Sequence, residues 1–232
     1  MFRSSFFFRL LMLGVAGLSL RAQTPADEIV NVNLRFMWAS PLPLPALGTV
    51  KGEPPVFTPI TAARLGFGST NAYRGPRMLR LHRPPVDGLP PLAGEALLPA
   101  GKTSLIALVR PNPGAPDGVV IDFVPESASH FPLNSFLIVN LTGSALDGRF
   151  AGNAFTLQPG INAPLLSPAH AEPPPALQLA IHYKQRVIPL IDSPMIFAPD
   201  TRGLMLLLPP PRAGSRNILT FFIRDPAGPS GS

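Results

Sequence analysis

The densest group of side chains able to do chemistry is basic. Arg74, Arg77, Arg80, His82 and Arg83 crowd one short stretch, where they could meet an anionic glycan, a lipid head group or nucleic acid. They form the candidate ligand surface. Period-two alternation divides them: Arg80 and His82 share one face of a strand, while Arg77 and Arg83 fall with Leu79 and Leu81. The competing reading is a solvated strand face. Among the carboxylates, Asp117, Asp122 and Asp147 sit in loop-rich surroundings that would suit an oxygen-ligand calcium site, although general acid–base pairs of the glycosidase kind meet only in the fold. His82, His130, His170 and His182 are scattered, with no second histidine within five residues and no cysteine in the chain, which is not the spacing of a zinc site.

Nucleophilic and nucleotide chemistry lack their signatures. There is no Gly-x-Ser-x-Gly, and Gly48, Pro99 and Ile181 stand where a Ser-x-x-Lys pair would need serine. Ala100, Gly101, Lys102 and Thr103 resemble the end of a phosphate-binding loop, but Ala96 replaces the required glycine and a strand follows where a helix should. Gly66 and Gly68 read as a turn or bulge. No cofactor is implied. Trp38 and Tyr73 could stack on a sugar, yet Trp38 lies on an apolar stripe and reads as core. Asn140, Leu141 and Thr142 match a glycosylation acceptor, but Asn140 reads as the end of a strand.

The elements that must position these residues are short and punctuated. Thirty-two prolines and 20 glycines accompany 46% hydrophobic and only 14% charged residues, so the prolines bound apolar segments instead of marking disorder. Proline costs about 3 kcal/mol inside a helix, and all-β structure follows. Residues 29–38 alternate, with Val30, Val32, Leu34, Phe36 and Trp38 on one face and Asn31, Asn33, Arg35 and Met37 on the other. Residues 135–141 are apolar on both faces apart from Ser135 and Asn140 and suit a central strand. Gly152 and Asn153 read as a two-residue hairpin turn, setting Phe150 opposite Phe155. Residues 104–109 and 119–124 read as neighbouring core strands joined by a long loop, and residues 41–59 as extended and irregular. Further strands are expected at 77–83, 95–98, 177–183, 203–208 and 217–224. The fold class is an antiparallel, immunoglobulin-like β-sandwich of ten to twelve strands, as one body or as two packed sub-domains divided near residues 125–132.

The first 22 residues read as a signal peptide, with Arg3 and Arg9 around an aromatic cluster, an apolar core over residues 10–20, and cleavage after Ala22. Residues 23–226 then form the β-sandwich region and 227–232 a disordered tail, with no transmembrane anchor after signal removal. Losing Arg3, Arg9 and Arg21 takes the chain from +6 to +3, 16 basic against 13 acidic residues. That charge gives no support to a nucleic-acid partner. Without cysteine, the exported chain is held by its core alone.

Residues 33–45, NLRFMWASPLPLP, and 136–160, FLIVNLTGSALDGRFAGNAFTLQPG, with 65–81, LGFGSTNAYRGPRMLRL, resemble uncharacterised exported bacterial β-sandwich proteins, whose repeated unit joins two strands through a serine-containing turn and ends in Pro-Gly. The resemblance implies export and a sandwich fold and carries no catalytic residue. The expected function is a non-enzymatic module, periplasmic, at the cell surface or extracellular, whose partner is an envelope or extracellular protein or a glycan. A carbohydrate-binding module and a hydrolase whose carboxylates converge only in the fold stand as alternatives.

Overall fold

The computed structural model describes residues 26–167, 172–183, 186–196, 198–212, 215 and 217–225. The signal-peptide reading of residues 1–22, His170 and the tail 227–232 lie outside them. The described residues form strands and no helix. In chain order the strands are β1 (Ile29–Trp38), β2 (Gly48–Lys51), β3 (Val56–Pro59), β4 (Ala62–Arg64), β5 (Thr70–Pro76), β6 (Met78–His82), β7 (Leu92–Leu97), β8 (Ser104–Asn112) and β9 (Ala115–Pro125). After residues 126–134 come β10 (Ser135–Asn140), β11 (Leu146–Phe150), β12 (Asn153–Leu157), β13 (Gly160–Ile161), β14 (Leu165–Leu166), β15 (Ala176–Tyr183), β16 (Arg186–Pro194), β17 (Arg202–Leu208) and β18 (Leu219–Asp225).

The second nine strands repeat the strand order of the first nine, with one short strand reversed: β4 runs parallel to β1, and β13 antiparallel to β10. In the first half, β1 is flanked by β4 and β5 on one side and by the β8–β9 hairpin on the other, while a second sheet runs β3-β2-β6-β7. In the second half, β10 is flanked by β13 and β14 and by the β17–β18 hairpin, while the companion sheet runs β12-β11-β15-β16. The expectation of purely antiparallel sheets needs one correction. Both central sheets are mixed, because β1 runs parallel to β8 and to β4, and β10 runs parallel to β17.

Alternation then sorts the side chains into three apolar layers. Leu34, Phe36 and Trp38 of β1, with Leu105 and Ala107 of β8, face Leu79 and Leu81 of β6. Phe136 and Ile138 of β10 face Leu146, Phe150 and Leu179 across the second half. The opposite faces of the two central sheets meet each other: Met37, Ile106 and Leu108 pack with Leu137, Val139, Leu204 and Leu206. This third layer is the seam. It explains why Met37, on the face of β1 that reads as polar, is fully buried, and why every residue of β10 is buried.

The parallel registers align the halves residue by residue. Asn33 pairs with Ser104 and Ser135 with Arg202, so Ser104 and Arg202 occupy equivalent positions. Glu126 and Asp225 lie opposite them across the two hairpins. Counting along the same strands, Arg110 matches Leu208, Pro111 matches Pro209, and Ala39 matches Leu141.

Two local expectations are corrected. The β8–β9 ladder runs on past Pro111 to a tight turn at Pro113 and Gly114, so the long loop is mostly strand. β9 ends its sheet, and an edge strand accommodates the amide-less Pro116 and Pro125. The β11–β12 turn lies at Ala151 and Gly152, one residue earlier than read, with Phe150 opposite Asn153 and Gly148 opposite Phe155. The Phe155 ring therefore covers Gly148, where a Cβ would collide with it, and Gly48 in β2 lies in the same way under Phe57 of β3. Both turn residues have positive φ, 49° at Ala151 and 82° at Gly152, as a type I′ turn requires. A left-handed alanine costs roughly 1–2 kcal/mol, and asparagine tolerates that conformation better. Ala151→Asn is expected to stabilise the fold by about 1 kcal/mol, read as a rise in the urea midpoint with an unchanged slope.

Candidate functional site

The basic group is dispersed when the chain folds. Arg74 lies on β5 in the sheet of β1, whereas Arg80 and His82 lie on β6 in the companion sheet. Arg80 pairs with Glu95 at 3.0 Å, Arg83 with Asp117 at 3.3 Å and Arg77 with Glu28 at 3.4 Å. Arg77 also donates to the carbonyl of Leu98, and His82 Nδ1 is 3.0 Å from the carbonyl of Pro90. Exposed Arg74 is the one member with no partner among the described residues.

The three candidate carboxylates lie on strands, Asp117 and Asp122 on β9 and Asp147 on β11, and do not meet. Asp117 pairs with Arg83, Asp122 with Arg110 and Asp147 with His182, and the described residues contain no group of three or more histidines and carboxylates able to hold a metal. Asp147 and Asp192 both line a shallow depression of about 350 Å³ on the sheet of β11 and β15, with Arg149 and Gln178. Among the described residues, the nearest approach to a nucleophile–base pair is Ser127 with His130, 2.8 Å apart and exposed in one turn. Ser129 also bonds the same nitrogen, and the far ring nitrogen faces Lys102 at 3.4 Å where a triad would need a carboxylate.

Trp38 is buried, its indole N–H donating to the carbonyl of Leu42 at 2.8 Å, so it offers no stacking face. Asn140 is consumed by its own turn, donating to the Ser144 carbonyl and accepting from the Thr142 hydroxyl at 2.7 Å. Tyr73 is half-buried at the margin of the first core and donates to the carbonyl of Pro76 at 2.7 Å. Burial pushes its phenol above the ordinary value near 10, with the charge of Arg80 pulling part of the way back.

The convergence of charge that does exist lies inside the seam. Arg202, 2% exposed at its side chain, donates through Nε to Asp225 at 3.0 Å and through a terminal nitrogen to Glu126 at 2.9 Å. Its other terminal nitrogen reaches the carbonyls of Glu126 and Phe131 at 3.0 and 3.2 Å. Arg35 from β1 grips Asp225 with two nitrogens, at 3.1 and 2.7 Å, and also bonds Glu126. Burial works against the Arg35 charge, but the hydrogen bonds to Asp225 and Glu126 and their negative charges outweigh it and raise its pKa. The second oxygen of Glu126 accepts from Ser104 at 2.8 Å. Each guanidinium also lies over a ring, Arg35 over Phe67 and Arg202 over Phe131, both at 4.6 Å. Two positive and two negative charges thus cancel, and no buried side-chain nitrogen or oxygen among the described residues lacks a partner.

The chain matches no known protein family, and no curated protein is similar to it in sequence. Function must therefore be argued from this geometry. In chemical terms the cluster is spent: every carboxylate oxygen is committed to an internal donor, which suits a rivet and not a proton-transfer site.

At the other end of the seam, where β8 and β17 finish, the same two strands leave a cleft of about 360 Å³ lined mainly by proline and leucine. Sequence reasoning missed both ends of the seam, since the pairs Arg35–Glu126 and Arg202–Glu126 are separated by 91 and 76 residues.

Breaking a buried pair while leaving its partner costs about 3–5 kcal/mol, so Arg202→Met is expected to destabilise by that order in chemical denaturation. Replacing Arg35, Glu126, Arg202 and Asp225 together with apolar residues should recover most of it. Tyr73 supplies a pH test. Because its folded pKa is raised, its contribution is whole below about pH 10 and is lost as pH rises through the folded value. Stability measured at about pH 9 and about pH 11 should therefore fall less in Tyr73→Phe than in the native chain.

Proposed function

We propose that the chain is an exported, non-enzymatic interaction module acting at the cell envelope or outside the cell. Each half is a β-sandwich, immunoglobulin-like in its two facing sheets, and the halves are fused through the seam. Membership of the exported bacterial β-sandwich proteins belongs to the same proposal, as does release of residues 1–22 on export.

The observation that carries the interaction role is a difference between the two halves. In the first, β7 packs along β9, with Gly94 pressed against the backbone of Val119, so the last strands of the two sheets close on each other. In the second, among the described residues, the equivalent β16 and β18 do not pack along one another. The gap is spanned by Arg224, whose guanidinium donates to the carbonyl of Ile196 at 3.3 Å. Both strands end their sheets, and Leu190 and Ile191 of β16 are only partly covered. An open edge of this kind is a template for an added strand, with main-chain hydrogen bonds giving affinity and alternate side chains giving selectivity.

A photo-crosslinking residue placed at exposed Thr220 on β18, in cells exporting the protein, is expected to give a discrete envelope adduct. The same residue at exposed Leu97 on β7 is expected to give none. Equal labelling at both positions, or none at either with a strictly monomeric protein, overturns the proposal. Turnover of a polysaccharide by the purified chain would overturn its non-enzymatic part.

A further inference from the structure

We propose that the cleft at the end of the seam is a binding site for a free aliphatic carboxylate, an amphiphile with an apolar chain and one anionic head. The inference rests on the seam alone and is independent of the open edge.

The cleft is built from equivalent pieces of the two halves. Ala39 and Leu141 follow the central strands, Pro111 lies in the last part of β8, Pro209 follows β17, and all four line it. Its volume of about 360 Å³ falls within the range of small-molecule sites, which cluster where two structural units meet. The prolines have fixed φ and no amide hydrogen, so they present carbon to the cleft from backbone that loses little freedom when a ligand enters. Such walls suit an aliphatic chain, worth roughly 0.8 kcal/mol per buried methylene.

The two halves differ at the decisive position. Where the second contributes Leu208, the first contributes Arg110, the one charged residue lining the cleft among the described residues. Its Nε donates to Asp122 at 3.2 Å, and its terminal nitrogens have no hydrogen bond among the described residues. The guanidinium is part-covered, its side chain 29% exposed. An apolar cleft with a single half-shielded guanidinium, its fork open, selects an apolar molecule carrying a carboxylate, which arginine binds with two parallel hydrogen bonds.

The protein carries its own reporter. Its sole tryptophan, Trp38, donates to the carbonyl of Leu42, which lines the cleft. Titrating the full chain with decanoate is expected to give a saturable change in Trp38 emission and a stoichiometry of one by calorimetry, with decanol binding more weakly. Arg110→Gln should weaken decanoate about five- to tenfold and leave decanol unchanged. Asp122→Asn, which removes the competing carboxylate, should tighten decanoate, a gain that a purely structural role for the pair does not produce. Circular dichroism melts establish that both variants fold. Non-saturable binding, equal affinity for decanoate and decanol, or indifference to both substitutions overturns the proposal. So does sedimentation with anionic phosphatidylglycerol vesicles without binding of decanoate, which would assign the cleft to a membrane surface.

Discussion

Arg202 sits where no water can solvate it, and the protein itself must supply all its counter-charge and hydrogen bonds. Its donors are taken up by Asp225, at the end of its own hairpin, and by Glu126, which follows the equivalent hairpin of the other half. Neither half alone could bury this charge. Removing two ion pairs from water is costly, and apolar residues of like volume often do as well or better for stability. What the cluster contributes is register: a slip of β1 or β17 by one residue would carry a guanidinium to the wrong face and strand two carboxylates in the seam. The apolar layer of Ile106, Leu108, Leu204 and Leu206 supplies adhesion, and the charges fix how the two layers meet.

From that constraint the two ends of the seam follow. β8 and β17 both begin at the charge cluster and both finish at the cleft. The fixed end is closed by four charges and two aromatic rings, and the far end is shaped by what the two hairpin turns leave between them. A duplicated strand order would make such a cleft symmetric in character, and the exchange of leucine for arginine at one position gives it a polarity.

The sequence carried the strands that obey a simple period. Residues 29–38 alternate and are β1; residues 136–139 are apolar throughout and are the middle of β10, covered on both faces. β16 escaped because Pro189 interrupts it and Pro194 ends it. Pro189 pairs with Ala180 at the bulge of that ladder, where the irregular register tolerates the missing donor. β2 and β3 escaped because Pro54 and Pro55 form their turn instead of ending a strand. The turn after β11 was misplaced by one residue since Gly-Asn and Ala-Gly are both plausible turn pairs, and alternation over five residues does not choose between them. Arg35 shares a face of β1 with Asn31 and Asn33, and the hint of the seam is Met37 on that same face. The basic cluster, conspicuous in one dimension, separates because neighbours in sequence enter different sheets.

Two halves with the same strand order and the same seam-forming faces carry a hazard. The first half of one molecule is, to first approximation, complementary to the second half of any other copy, and exchange of halves would build chains of subunits. The residues that would have to act as the hinge are 126–134. Arg202 holds this segment by its backbone, through the carbonyls of Glu126 and Phe131, while Ser127 bonds the backbone amides of His130 and Phe131 within it. The guanidinium that joins the halves therefore also fastens the connector that would let them part company, and closure within one molecule needs no further device.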